Sequence, residues 1–149
     1  MSEKELINGK YTIEKVTAEE ELDFVDDNLV AFNLSQVPVG PDKDFIRVNR
    51  LIRDEDGKII AGCLAGNTPW DVGYIDEMWV DENFRRQGLG SALMLEVERV
   101  LRENGCYLIL LDTFDWQARG FYEKLGYTVC ATLEDCPVGH RRFYMQKRI

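Results

Sequence analysis

The chain has 149 residues, 45% of them hydrophobic and 30% charged, a length that predicts one domain able to bury roughly 70% of the surface its unfolded chain exposes. Twelve glycines and four prolines exclude collagen-like and low-complexity classes, and the apolar content is too high and too evenly spread for intrinsic disorder. Twenty-seven acidic residues against 18 basic ones leave a net charge of −9, which argues against phosphate-backbone binding and is compatible with a cationic partner, though simple solubility accounts for it more readily.

Residues 11–16 alternate and predict a first strand. Thr17 then reads as an N-cap with Glu20 as its capping-box partner, and Leu22, Val25, Leu29 and Phe32 follow at helical spacing until the prolines Pro38 and Pro41. The acids Glu19, Glu20 and Glu21 form a solvated first turn favoured by the helix dipole. Residues 45–52 and 58–65 predict a hairpin about Asp54-Glu-Asp-Gly57. Asn67-Thr-Pro-Trp70 breaks the pattern, residues 72–80 form another strand, and 81–87 are polar loop. From Leu89, the positions Leu93, Val97, Val100 and Leu101 trace one face of a helix that stops at Asn104-Gly105. The apolar run 106–111 predicts a strand buried on both faces and parallel to its neighbour. Residues 115–125 predict a short helix, and 127–133 and 141–145 two closing strands. No repeat or linker interrupts this order, so residues 1–149 read as one domain.

No apolar run approaches the roughly 18 residues of a membrane span. The opening Met-Ser-Glu-Lys-Glu lacks the apolar core of a signal peptide, which predicts a cytoplasmic protein without membrane contact. Cys63, Cys106, Cys130 and Cys136 form no C-x-x-C, and the single His140 is not spaced to complete a zinc set, so no metal is expected. Cys63, Cys106 and Cys130 read as small buried hydrophobes. One histidine also gives little from which to build a Ser-His-Asp triad.

The informative segment is Val80-Asp-Glu-Asn-Phe-Arg85-Arg86-Gln87-Gly88-Leu89-Gly90-Ser91. A strand ends there and a glycine-bearing loop opens a helix, which aims free N–H groups and the positive end of a dipole at one point. Such a point binds anions. Gly88 and Gly90 permit close approach of backbone to a ligand, and Arg85 and Arg86 add cationic donors at the rim. The Walker A pattern fails because no lysine follows Gly90, and the dinucleotide fingerprint fails because Leu93 stands where its third glycine belongs.

Downstream stands Phe121-Tyr122-Glu-Lys-Leu-Gly126-Tyr127. With R-x-x-G-x-G before it, the chain resembles the GNAT superfamily of acetyl-CoA-dependent N-acetyltransferases from about Tyr74 to Tyr127. The resemblance implies an α/β (α+β mixed) fold: a central, mostly antiparallel twisted sheet whose one parallel strand pair splays to bind acetyl-CoA, flanked by helices. It implies that backbone groups of Met78, Trp79 and Val80 bind the pantetheine arm of coenzyme A, and that Arg86, Gln87, Gly88, Leu89, Gly90 and Ser91 cradle its pyrophosphate. Tyr122 matches the general acid that protonates the departing sulfur; spacing alone favours its being one of a core stripe with Ala118, Phe121 and Leu125, and the upstream loop reverses that preference. Asp115 stands where many members carry Asn. It caps the helix but brings no amide donor, which Gln117 then supplies.

Asp76 and Glu77 are candidates for the general base, or an exposed pair. Alternation lets at most one face an acceptor cleft, and Asp76 is favoured because it shares a face with Met78 and Val80. His140 reads as a loop or strand-edge residue. Trp70, Trp79 and Trp116 line the acceptor pocket or pack in the core. The function that follows is transfer of an acetyl group to a primary amine, of a small molecule rather than a protein, with a homodimer as the family expectation. A non-catalytic acetyl-CoA sensor is the alternative, and thiol release in the presence of amines separates the two.

Overall fold

A computed structural model describes residues 5–149. Met1 to Lys4, most of the polar opening read above, lie outside the described residues. The chain divides into two packed units, residues 1–41 and 42–149.

In the first unit, β1 (Glu5–Ile7) pairs antiparallel with β2 (Tyr11–Ile13). The turn between them carries Asn8 and Gly9, both at positive φ, the residue pair that such tight hairpins favour. The strand expected over 11–16 is therefore the second arm of a hairpin and ends three residues early. Helix α1 (Glu19–Gln36) begins one residue later than expected: Ala18 is the N-cap, no side chain caps it, and the Thr17–Glu20 capping box does not form. Glu19, Glu20 and Glu21 occupy its first turn, where the dipole favours acids.

In the second unit, the strands are β3 (Ile46–Arg47), β4 (Arg50–Arg53), β5 (Ile59–Asn67), β6 (Val72–Val80), β7 (Leu108–Phe114), β8 (Thr128–Glu134) and β9 (Arg141–Arg148). Two helices join them, α2 (Leu89–Glu103) and α3 (Arg119–Lys124). The strands form one seven-stranded sheet ordered β3-β5-β6-β7-β9-β8, with β4 also on β5. The single strand expected over 45–52 is split. Asn49 turns its side chain into the ladder, where Oδ1 accepts the Ala65 N–H at 3.1 Å, and the break separates β3 from β4.

All pairs are antiparallel except β6 with β7, which run parallel through only three residue pairs, Val72–Leu108, Gly73–Ile109 and Tyr74–Leu110. Beyond Tyr74 and Leu110 the two strands part, and β7 turns its other edge to β9. The sheet is thus mixed, mostly antiparallel, and parted beyond its parallel pair, as the resemblance implies.

Helix α2 covers one face of the sheet. Its stripe Leu93, Met94, Val97 and Leu101 is buried with Ala61, Cys63, Ala65, Ile75, Ile109 and Leu111. Burying an aliphatic side chain of this size stabilises by about 1.5–3 kcal/mol, so this layer fixes where α2 begins. Two expectations change. Strand β7 starts at Leu108 and alternates between buried and half-buried residues, so only one of its faces is fully covered. Cys106 is buried in the turn before it, its N–H bonding Leu101 O at 2.9 Å. Cys130 is exposed rather than buried, and its thiol donates to Tyr144 O at 3.3 Å.

Candidate active site

The segment after β6 folds as a short 3-10 turn, Glu82–Phe84, capped by the Asp81 carboxylate, which accepts the Asn83 N–H at 2.9 Å. Arg86 and Gly88 then both adopt positive φ, 62° and 79°. Gly88 is the N-cap of α2, and a Cβ added there would meet nothing within 4 Å. Space lies open in front of the loop, and the conformation itself favours glycine. The first intrahelical bond runs from Ala92 N–H to Gly88 O. Among the described residues, none of the seven N–H groups from 85 to 91 donates to a protein acceptor. That run of unfilled donors at a helix start fits a polyanion such as a pyrophosphate.

One cation of the expected rim is otherwise engaged. Arg85 turns back, and its Nε donates to Val80 O at 3.0 Å, closing the loop on the strand it leaves.

The parted edge of β6 is the second element. Asp81 N–H bonds Ile60 O on the β5 side. Strand alternation then turns the N–H groups of Met78 and Val80 the other way, toward the gap, while Trp79 belongs to the β5 ladder. The three-residue strand end expected to bind a ligand arm offers backbone at Met78 and Val80. Trp79 contributes only its side chain, which is 49% exposed.

Gly90 is where the segments meet. A Cβ there would lie 3.2 Å from Phe121 Cζ and 3.4 Å from Met78 Cε, so the strand end, the loop and α3 close on one another at this glycine. Next to Phe121, Tyr122 is 6% exposed and packs edge-on against Phe121 and Tyr127, with ring centroids at 5.1 and 5.9 Å. Burial, with smaller effects from Cys63 and Asp112, pushes its phenol up to about 12. The two buried tyrosines differ at their hydroxyls. Tyr127 donates to Glu98 Oε1 at 3.0 Å, and Glu98 also holds Lys147 at 2.8 Å. No described residue bonds the Tyr122 hydroxyl, and it is not among atoms sealed from solvent without a partner.

Helix α3 is six residues long, not eleven, and Asp115 does not cap it. Its carboxylate instead accepts the Arg141 N–H at 2.9 Å and pairs with His140 Nδ1 at 2.9 Å, tying the turn after β7 to the start of β9. The His140 bond, joined by the Arg141 N–H, holds that carboxyl below the usual range although desolvation pushes the other way. Gln117 serves the same turn: its Oε1 accepts the Phe114 N–H at 2.8 Å and the Thr113 hydroxyl at 3.2 Å. Its amide nitrogen has no partner among the described residues. Trp116 stacks on Phe114 at 4.5 Å and meets His140 in a T-shaped contact, and Trp70 meets Phe45 edge-on. Neither tryptophan is part of the buried core.

Asp76 and Glu77 sit on a bulge. Leu64 pairs with Glu77 and Ala65 with Ile75, so β6 carries an extra residue there. Ile75 is buried, both acids are exposed, and the inward positions resume at Met78 and Val80. Simple alternation therefore fails at this point, and the argument that set Asp76 on the face of Met78 does not apply. Asp76 nonetheless lines a hollow of about 200 Å³ with Phe45, Ile46, Arg47, Asn67 and Tyr74, and pairs with Arg47 at 3.0 Å. The sequence reading missed this hollow: its residues come from three strands and the positions flanking them, and share no motif.

The family model described as acetyltransferase (GNAT) family matches residues 18–127. The chain belongs to the GNAT acetyltransferase family. That places it among acyltransferases whose co-substrate is acetyl-CoA. Relatives within the family include the blasticidin-S acetyltransferase of Streptomyces morookaense, 41% identical over 81 residues, 54% of this chain and 60% of that one. An acetyltransferase of Agrobacterium fabrum is 30% identical over 122 residues, 82% of this chain and 86% of its own. The crystal structure of an acetyltransferase from Bacillus cereus superposes with a TM-score of 0.80 at 34% identity, covering 91% of this chain and 96% of the other. Among the described residues no group of three or more His, Cys, Asp or Glu side chains is placed to hold a metal ion, and no helix is long and apolar enough to cross a membrane.

Proposed function

We propose that this GNAT protein transfers the acetyl group of acetyl-CoA to the primary amine of a small molecule. The observation that carries the reading is the run of seven N–H groups without acceptors, from 85 to 91, beside the parted edge of β6. In this reading those donors and the positive end of α2 hold the pyrophosphate. The gap-facing backbone of Met78 and Val80 takes the pantetheine arm as an added strand, with the Gln117 amide as a further donor. The thioester carbonyl then lies at the bulge, where a strand N–H polarises it, a contribution on the order of 3 kcal/mol. Holding amine and thioester together supplies up to roughly 7–11 kcal/mol more.

Asp76 takes the proton the amine must lose. Tyr122 gives one to the departing sulfur. Its raised phenol pKa does not oppose this, because the same desolvation that weakens the acid also raises the basicity of a thiolate released beside it. A phenol that stays protonated across the working range is always ready to donate. A small-molecule acceptor is favoured by the hollow of about 200 Å³ and by the Streptomyces relative, whose name gives blasticidin-S as its substrate. The test is thiol release from acetyl-CoA across a panel of amines, with acetylated product identified by mass. Amine-dependent release with matching product supports the reading; acetyl-CoA binding without release under any amine overturns it in favour of a sensor.

A further inference from the structure

The hollow beside Asp76 has a chemical pattern that selects an acceptor. Among the residues that line it, Arg47 is the one cation and Asp76 the one anion, and they face each other as a pair, Nη1 to Oδ2 at 3.0 Å. The walls are aromatic, from Phe45 and Tyr74. The floor is fixed: Asn67 accepts from Asn104 Nδ2 at 3.0 Å and donates to Thr68 O at 3.2 Å, so both ends of its amide are engaged. Tyr74 is also the last residue of β6 paired with β7. The hollow therefore reaches the residue of β6 beyond which the strands part.

The pair itself is held loosely. The Arg47 and Asp76 side chains are 62% and 48% exposed, and ion pairs at that exposure contribute little to a fold. The second guanidinium nitrogen reaches only Asn49 Oδ1, at 3.4 Å. A ligand can thus exchange partners with the pair at little cost. A plain ammonium that reaches Asp76 displaces the guanidinium and leaves it without a counter-ion. A zwitterion replaces both halves: its ammonium meets Asp76 while its anionic group takes the fork of Arg47, a bidentate contact for which guanidinium geometry is suited.

We infer that Arg47 determines acceptor specificity, and that the hollow takes small amino acids: primary amines whose carboxylate lies as close to the nitrogen as the charges of the Arg47–Asp76 pair lie to each other. This rests on the acetyl-transfer reading above. The amine of such an acceptor is then delivered to Asp76, at the bulge, with its carboxylate turned away from the thioester.

The experiment compares amino acids with their decarboxylated amines, which share a skeleton, for the native chain, Arg47→Gln and Arg47→Lys. The native chain is expected to favour the amino acid in kcat/KM by roughly 10–100-fold, the worth of a charge-assisted hydrogen bond, with the difference in KM. In Arg47→Gln that ratio collapses toward one, and in Arg47→Lys it is partly kept. The KM for acetyl-CoA stays constant across the three. Equal losses for both members of a pair, or a native preference for the decarboxylated amine, overturn the inference while leaving acetyl transfer intact. Should no member turn over, calorimetric titration of the same compounds into protein loaded with coenzyme A decides it. Failure of the amino acids to bind in an Arg47-dependent way overturns it, and failure of coenzyme A itself to bind overturns the parent reading.

Discussion

Removal of one oxygen separates the two roles open to Tyr122. In Tyr122→Phe the ring keeps its contacts with Phe121 and Tyr127, and no protein hydrogen bond is lost because no described residue bonds the hydroxyl. Near neutral pH the melting temperature is therefore expected to stay close to that of the native chain. At high pH the variants diverge, and the sign follows from the phenol. Burial raises its pKa from about 10 in the unfolded chain to about 12 in the fold. Stability from this group is complete below pH 10 and is lost as pH rises through 12, because the unfolded chain ionises first. Two pKa units amount to roughly 2.7 kcal/mol, a loss that Tyr122→Phe escapes. Tyr127, raised in the same direction by burial and by Glu98, supplies a parallel loss that remains in the variant. Activity reports the other role. With thiol release followed under saturating acetyl-CoA and amine, kcat is expected to fall by roughly 10²–10⁴-fold, the usual worth of a positioned acid, and acetyl-CoA affinity to hold. Nor should the native rate show an alkaline limb from this phenol below about pH 11. A variant that turns over at the native rate, with chemistry shown to be rate-limiting, makes Tyr122 a packing residue and refutes the assignment.

Gly88→Glu is expected to abolish acetyl-CoA binding by calorimetry in a folded protein: the added side chain projects into open space before the loop with a charge of the wrong sign, and left-handed backbone adds about 1–2 kcal/mol of strain. Asp76→Ala should cut kcat far beyond any change in melting temperature, whereas Glu77→Ala should not; comparable large losses in both would show that the bulge aims both acids at the acceptor. Glu98→Ala strands Lys147 and the Tyr127 hydroxyl in a buried setting and is expected to lower stability by about 3–5 kcal/mol in urea unfolding.

Much of this was legible from local pattern. Strand β6 falls on the predicted residues because Gly73 and Ile75 alternate inward and Asn67-Thr-Pro-Trp70 breaks the chain before it. Helix α2 follows from its apolar stripe and the Asn104-Gly105 stop. The errors arise where a side chain substitutes for backbone. Asn49 interrupts what reads as one strand, and Gln117 with Thr113 builds a turn from residues that read as helix. Asp115, expected as a cap, is claimed by β9, an element 26 positions away. The bulge at Asp76 was invisible for a related reason: register is set by the partner strand, and nothing in Tyr74 to Val80 itself announces an extra residue. Arg47 carries no sequence signal because its partner stands 29 residues on.

The three residue pairs that join β6 to β7 are fewer than join any other two of the sheet's long strands, β5 to β9. On one side lie β3 to β6, on the other β7, β9 and β8, and α2 bridges the seam through residues buried against both. An extended ligand seated along the open part of the seam completes a ladder that the chain leaves unfinished, so it acts as a temporary strand of the fold. Its binding free energy is then shared with the cohesion of the two halves. Amide protons facing the gap at Met78 and Val80, and those of the adjoining β7 edge, should exchange with solvent far more slowly in the loaded protein, so that cofactor supply and resistance to proteolysis rise and fall together.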